Sequence, residues 1–322
     1  LSTSTRAPPA KTTVYPSFDA RLDLWFARLG GSGLGNCFYP YFHAYVLALR
    51  SGAALIAPPW FSLKLGPLLR GESSKRFYWR LFRPCPGDID GGAKFVKLLA
   101  GYRRRTVLQI DGSAEPALVP GTLNVIVSRK WTFRGLHPYR DAVRARLLAI
   151  LADPIAEPPQ WGQGRFVGFH VRLSDFRTLA DPLGADVVKH NARIPLFWYV
   201  AVARALRQRY PALPILLFSD GRIRELQPLI ELGAQVYRSG SDVADLIKMS
   251  EACVLVGSNS TYSRWAAFLG NMPSIWLQDA QIPKEVPDDP LTSPEVPLLQ
   301  VPIDAPAASI LLQGGRGWPE YV

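Results

Sequence analysis

The sequence predicts an α/β protein built on a parallel sheet with helices on both faces. Through the second half of the chain, short apolar runs alternate with amphipathic segments of ten or more residues. Polar residues and glycines gather directly after those runs, at the strand ends where open α/β sheets bind ligands. The length of 322 residues is enough for two domains. A hydrophobic fraction of 48% with 20% charged residues excludes a disordered chain. No apolar run approaches the ~20 residues that a membrane-spanning helix needs.

The elements follow in order. Residues 1–20 are rich in Ser, Thr, Pro and Ala and read as a loose leader. LDLWFARL (22–29) reads as an apolar strand or helix turn, broken by GGSGLGN (30–36). FYPYFHAYVLALRS (38–51) has apolar residues at helical spacing, with Gly52 as its stop. ALIAPPW (54–60) reads as a strand closed by two prolines, while 61–105 is basic and aromatic without clear periodicity. VLQI (107–110) and LNVIV (123–127) are strand-like, and RDAVRARLLAILAD (140–153) is an amphipathic helix. The Pro/Gly-rich stretch 154–165 is the natural linker, giving domains of 1–160 and 161–322.

The second half is cleaner. Strands are expected at 166–171, 214–220, 234–239, 253–259 and 273–277. Helices are expected at 195–210, 222–232, 242–252 and 260–270. Pro195 opens the first of these, Gly233 stops the second, Asp242 and Asp245 give the third an acidic first turn, and Gly270 stops the fourth. The Pro-rich stretch 283–305 reads as an extended tail.

Charge is uneven. The formal net charge is +11, and residues 64–105 hold eleven Lys/Arg against three Asp/Glu, whereas 279–322 hold seven acids against two bases. A basic field concentrates nucleotides, acidic glycans, nucleic acid or an anionic membrane face, or it simply solvates the surface. No nucleic-acid-binding motif is present, so nucleic acid is not expected as a partner. Three dispersed cysteines, Cys37, Cys85 and Cys253, form no metal-binding spacing and fit a reducing compartment. The expected location is cytoplasmic and peripheral to a membrane through the basic stretch. If an anchor precedes Leu1, it is the Golgi lumen.

Three strand ends carry the candidate chemistry: His170-Val171-Arg172-Leu173-Ser174-Asp175, Ser219-Asp220-Gly221, and Gly257-Ser258-Asn259-Ser260-Thr261. If the strands are parallel, all three lie on one rim. The last segment opens a helix, and a helix start is an anion site that Arg172 could complete as a diphosphate cradle. The plainer alternative is that Asn259 or Ser260 caps the helix, worth ~1 kcal/mol, while Arg172 pairs with Asp175. Asn259-Ser260-Thr261 also matches a glycosylation sequon, read here as coincidence.

The glycine-dense turn Gly31-Ser32-Gly33-Leu34-Gly35-Asn36 allows close backbone approach to a ligand. It is one residue short of a dinucleotide fingerprint, and residues 37–71 contain no acid, which excludes NAD. Asp88-Ile89-Asp90 matches the Asp-x-Asp pair of metal-dependent sugar transferases, but sits in a Pro/Gly turn that favours a structural reading. KRFYWRLFR (75–83) interleaves cations and aromatics, which suits stacking on bases or sugars, a membrane surface, or a half-buried amphipathic helix. His43, among aromatics at helical spacing, reads as a core histidine.

Four segments, in family order, resemble the inverting α-1,2-fucosyltransferases (family 11 glycosyltransferases) and their GDP-fucose-using relatives. They are Gly31–Asn36 before an aromatic helix; His170-Val171-Arg172-Leu173-Ser174-Asp175, similar to a His-x-Arg-Arg-Gly-Asp motif; Phe218-Ser219-Asp220; and Asp245–Ser250 running on to Ser258–Leu269. The chain departs at Leu173, where the family has a second Arg, at Ser174 for Gly, and at Arg264 for the first Trp of a pair. The resemblance implies a GT-B fold, two Rossmann-like domains with a central cleft. It implies a GDP-fucose donor, inversion, and no essential metal. It places Arg172 on the donor diphosphate, and His170, Ser219, Asp220, Asp245, Asn259, Ser260, Thr261, Ser263 and Arg264 around the donor. Gly33, Gly35 and Asn36 would join them from the N-terminal half.

In the transfer so implied, an acceptor hydroxyl attacks C1 of the donor sugar as GDP departs. Asp175 is the candidate base, with His170 and His43 as alternatives. Asp175 could equally orient Arg172. The acceptor would be a glycan, with an acidic or lipid-linked one suiting the basic stretch. Three other readings stand beside this one: a metal-dependent transferase using Asp88 and Asp90 with another nucleotide sugar, a polyanion-binding protein, and a non-catalytic glycan-binding relative.

Overall fold

The computed structural model describes residues 12–19, 22–63, 77–112, 116–128, 132–173, 193–277, 291 and 298–301. The described residues form two compact units that divide between Pro154 and Ile155.

The first unit contains β1 (Thr13–Pro16), β2 (Leu22–Asp23), β3 (Arg28–Leu29), α1 (Leu34–Ser51), β4 (Ala54–Leu55), β5 (Ser62–Leu63), α2 (Gly91–Gly101), β6 (Arg105–Ile110), β7 (Leu123–Ser128) and α3 (Arg140–Ile150). Its main sheet has the order β4-β1-β7-β6 with every pair parallel. A small second sheet, β2-β3-β5, carries one antiparallel pair, in the segment 22–29 that the sequence leaves between strand and turn.

Helix α1 is buried on nearly every side, as expected of a helix apolar all round. It starts four residues earlier than its aromatic periodicity suggests, because Gly33 holds the extended N-cap conformation and Leu34 is already helical. It ends where expected, with Gly52 left-handed at φ 65. His43 is a core residue whose Nε2 lies 3.0 Å from the Thr132 carbonyl.

Two features of 61–105 differ from expectation. Residues 91–101 form a helix, α2, whose signal the sequence hides: it opens on two glycines and buries only Lys94 and Leu98, leaving Val96 and Leu99 exposed. The amphipathic-helix alternative for 75–83 is corrected within 77–83. There the chain turns, with Tyr78 and Arg80 left-handed at φ 53 and 57, a backbone no right-handed helix can hold.

The second unit contains β8 (Gly164–Val171), α4 (Leu196–Arg209), β9 (Ile215–Ser219), α5 (Ile223–Ile230), β10 (Ala234–Tyr237), α6 (Asp242–Ser250), β11 (Ala252–Val256), α7 (Thr261–Gly270), β12 (Ser274–Leu277) and β13 (Leu298–Val301). Its sheet has the order β10-β9-β8-β11-β12-β13, parallel throughout. The chain therefore winds outward from β8 to β10, returns to the centre, and winds the other way from β11. That is the doubly wound order of dinucleotide-binding folds, and the winding reverses between β8 and β11.

The α/β class with parallel sheets is as the sequence predicts. The buried runs of β8, β9 and β11 pack with Trp198, Tyr199, Val202 and Leu206 of α4, which explains their continuous apolar character. The Pro-rich tail is not wholly extended coil: 298–301 forms β13 and pairs with β12 from Ser274↔Leu298 to Leu277↔Val301. The stop of α7 is also displaced. Gly270 is its last helical residue, and Asn271 takes the left-handed position at φ 52. All three cysteines are buried, and among the described residues none is joined in a disulfide. Among the described residues no helix is long and apolar enough to cross a membrane.

Gly257 links β11 to the rim. A Cβ there would stand 2.3 Å from the ring of Trp276, which is buried on β12. Gly257→Ala is expected to cost about 1–3 kcal/mol, the usual penalty of overpacking a core, read as a lower midpoint in urea denaturation. An unchanged midpoint would show that the ring has room to move.

Candidate functional site

Parallel pairing sets the ends of β9, β8 and β11 side by side. Val171 lies opposite Ser219, and Phe169 lies opposite Val256. The three polar segments named from the sequence thus share one edge, centred on the β8/β11 switch. Each residue can be placed in turn.

His170 is buried as the penultimate residue of β8, with Nδ1 facing two hydroxyls. Ser258 Oγ is 2.9 Å away, and Ser263 Oγ is also in hydrogen-bond contact. The two serine oxygens are 3.0 Å apart, and Ser263 Oγ accepts the N–H of Ser258 at 3.0 Å. Since Ser263 lies in α7, this cluster fastens the strand end to the helix start. The Tyr199 hydroxyl reinforces it, donating to the carbonyl of His170 at 3.1 Å and approaching that of Gly257 at 3.4 Å. Burial pushes the Tyr199 phenol well above its ordinary range, so it stays a donor.

Arg172 leaves β8 at the rim. Its guanidinium pairs with Asp220 Oδ2 at 2.9 Å, both side chains about one-fifth exposed. The other Asp220 oxygen accepts the N–H of Leu173 at 2.8 Å. Asp220 therefore helps to orient Arg172. Asp175 and Ser174 lie outside the described residues. Ser219 closes the turn: its hydroxyl donates to the Val171 carbonyl at 2.6 Å and accepts the Gly221 N–H at 3.0 Å. The Leu173 side chain packs so tightly over Gly221 that a Cβ there would stand 2.4 Å from it.

At the start of α7, Ser260 is the N-cap, and its hydroxyl accepts the Tyr262 N–H at 3.2 Å. The capping alternative is thus realised, and it leaves Asn259, Ser260 and Thr261 at the positive end of a ten-residue helix. Tyr262 lies 5.3 Å from His170, ring to ring, and its hydroxyl donates to the carbonyl of Asp242. Arg264 points into the buried face of α7 and is 5% exposed. Asp245 accepts the Ser239 N–H at 2.7 Å and so braces the loop between β10 and α6.

One rim residue was missed. Arg238 follows β10 directly, and its guanidinium donates to the Gly221 carbonyl at 2.7 Å. Its signal was in the sequence, since it is the one charged residue in the strand-like run 234–239.

The remaining candidates lie in the first unit. The left-handed backbone of the glycine turn is at Gly30 and Gly31, with φ of 72 and 91. Gly33 has the ordinary φ of an N-cap, and Gly35 and Asn36 are helical. The N–H of Leu34 at this helix start donates to the Tyr78 hydroxyl at 2.9 Å. Asp88 is engaged twice by one Arg146 nitrogen, at 2.7 and 2.6 Å, and accepts the Cys85 N–H at 2.9 Å. The turn reading of Asp88-Ile89-Asp90 is therefore the correct one, with Asp90 at the N-cap of α2. Among the described residues no group of three metal-ligating side chains occurs.

The rim brings together one guanidinium fixed by a carboxylate and one helix start fixed by a buried histidine. Both favour negative charge. The arrangement can hold a phosphate or diphosphate and stabilise charge that builds on it.

No family model matches this chain, and no curated protein matches it. Solved structures do. The fucosyltransferase NodZ from Bradyrhizobium is similar at 12% identity and a TM-score of 0.38, over 83% of this chain and 95% of that one. NodZ α-1,6-fucosyltransferase co-crystallized with GDP is similar at 13% and 0.39, over 84% and 96%. The apo form of POFUT1 is similar at 12% and 0.40, over 85% and 99%.

The Asp88–Arg146 pair is nearly buried, at 7% and 9% side-chain exposure. Asp88→Ala is expected to destabilise the protein by about 3–5 kcal/mol, because it strands a buried cation, and manganese should leave the wild-type melting temperature unchanged. A melting temperature raised by manganese would restore the metal reading.

Proposed function

We propose that this chain is a glycosyltransferase that takes its donor from GDP-fucose and passes the sugar to a glycan hydroxyl with inversion, in the manner of the α-1,2-fucosyltransferases. One observation carries the reading. The parallel order β10-β9-β8-β11-β12-β13 reverses at β8/β11, and Arg172 and the start of α7 stand at the carboxyl ends flanking that reversal. Nucleotides bind in this crevice in doubly wound folds. The identity of the donor rests on the four sequence segments that resemble GDP-fucose-using enzymes. The GT-B pairing of two such units rests on the same resemblance.

In this reading the acceptor oxygen forms a bond to C1 of the sugar from the face opposite the nucleotide. The bond from C1 to the β-phosphate oxygen breaks, and GDP carries away the electron pair. The hydroxyl proton passes to a base, for which Asp175 is the candidate. Negative charge grows on the leaving diphosphate as the bond breaks. Arg172 and the N–H groups at the start of α7 act on that charge, and they are fixed beforehand by Asp220 and His170. Preorganised charge of this kind is often the largest single contribution to a rate. His170, being buried against two serines, is a positioning residue. The guanidinium and the helix start supply the charge that a divalent ion provides in metal-dependent transferases, so no essential metal is included.

The basic stretch 64–105 supports a cytoplasmic location peripheral to an anionic membrane, where a lipid-linked acceptor would be presented.

Arg172→Ala is expected to lower turnover of GDP-fucose by about two to three orders of magnitude, as removal of one fixed electrostatic donor does elsewhere. Dialysis against a chelator should leave turnover unchanged. Near-normal activity in the Arg172 variant, measured as GDP release in the presence of acceptor, would overturn its role. Loss of activity on chelation with recovery in manganese would overturn the metal-free mechanism.

A further inference from the structure

The first unit holds a cleft of about 380 Å³ at the carboxyl end of β4, walled by aromatic side chains. The floor is Trp60, Tyr41 and Phe82. The rings of Trp60 and Phe82 are 4.3 Å apart, and those of Trp60 and Tyr41 are 5.0 Å apart. Arg28, fully buried, pins this wall by donating from Nε to the Pro59 carbonyl at 3.0 Å. At the mouth stand three rings that the fold leaves in the open: Phe26 is 64% exposed, Trp79 60% and Phe95 39%. Rings that could have been buried are held out in one place, which marks an interaction site.

Two further observations point to a ligand. Four non-glycine residues among those described have left-handed backbone, and three of them, Trp25, Tyr78 and Arg80, line this cleft. Such conformations persist where the surroundings over-determine them, and they gather at ligand clamps. The second is Lys94. It lines the cleft at 4% exposure, and its ammonium makes no hydrogen bond or ion pair with any described residue. Burial pulls its pKa down, against the smaller opposing pull of Asp90 and Asp23. Its ammonium therefore stands at the cleft wall with donors to spare, under the pull of Asp90 and Asp23.

We propose that this cleft binds a carbohydrate chain. A pyranose ring offers an apolar C–H face and a rim of hydroxyls that both donate and accept. The open faces of Trp79, Phe26 and Phe95 suit the first. Lys94 as donor and Asp90 as acceptor, 4% exposed and exposed respectively, suit the second. An apolar peptide would leave Lys94 and Asp90 unsatisfied. Arg80, Arg83 and Lys94 stand beside Asp90 on the wall, while Asp88 is already paired with Arg146, so a polyanion is the competing occupant that the test separates. That the bound chain is the transferase acceptor rests on the function proposed above; that the cleft binds carbohydrate does not.

The test applies the full-length protein to a glycan array and titrates it separately with GDP. Trp79→Ala and Phe26→Ala remove rings that are more than half exposed, and thermal melts verify their folding. Glycans retained by the wild type should bind about tenfold more weakly, or worse, to both variants, the loss expected when a stacking face is deleted, while GDP affinity stays the same. No glycan retained, equal retention by both variants, or retention only of heparin-like polyanions would overturn the cleft assignment. Glycan binding without GDP binding would leave the cleft standing and remove the GDP-fucose reading.

Discussion

The second unit turns on a small polar knot inside an apolar sheet. His170 Nδ1 meets the hydroxyls of Ser258 and Ser263, and the Tyr199 hydroxyl closes the back by donating to the His170 carbonyl. A buried imidazole must find partners, since burying a polar group unsatisfied costs about 1–3 kcal/mol. Satisfying this one forces the end of β8, the end of β11 and the start of α7 into one fixed arrangement. These are the elements that flank the reversal of winding. The same knot that completes the core therefore aims a helix start at the rim.

Arg172 is set by a second, more open device. Asp220 holds the guanidinium with one oxygen and the backbone of Leu173 with the other. The carboxylate thus fixes a charge and the strand end that carries it. Gly221 permits the turn, because Leu173 leaves no room for a side chain there. The first unit uses cation and ring differently. Arg146 and Arg28 are buried as struts, the former on Asp88 and Tyr41, the latter on backbone carbonyls beneath the aromatic cleft. One residue type sits at the rim as a partly exposed charge in one unit and as internal bracing in the other. Exposure and partner decide which.

Much of this was legible in the sequence. The alternation of buried runs and amphipathic helices after residue 165 is a direct consequence of a sheet covered on both faces, and those elements lie where the periodicity puts them. The three polar strand ends were legible for the same reason: parallel pairing brings carboxyl ends to one edge. Partnerships were harder. Nothing local points to Asp220 as a partner of Arg172, because that pairing depends on register between β8 and β9. Helix α2 escaped notice because it opens on glycines and leaves most of its apolar side chains exposed. The strand 298–301 escaped because proline-rich flanks mask four residues that pair at a sheet edge. The cleft in the first unit was half visible, as cations among aromatics, but its shape depends on left-handed turns at Trp25, Tyr78 and Arg80 that no periodicity reports.

The most direct test of the central claim is a crystal structure of the protein grown with GDP. The account predicts diphosphate oxygens within hydrogen-bond distance of the Arg172 guanidinium and of the main-chain N–H groups at the start of α7, with His170 still held by Ser258 and Ser263. Density for the nucleotide at any other strand edge, or a diphosphate that touches neither Arg172 nor that helix start, would contradict it.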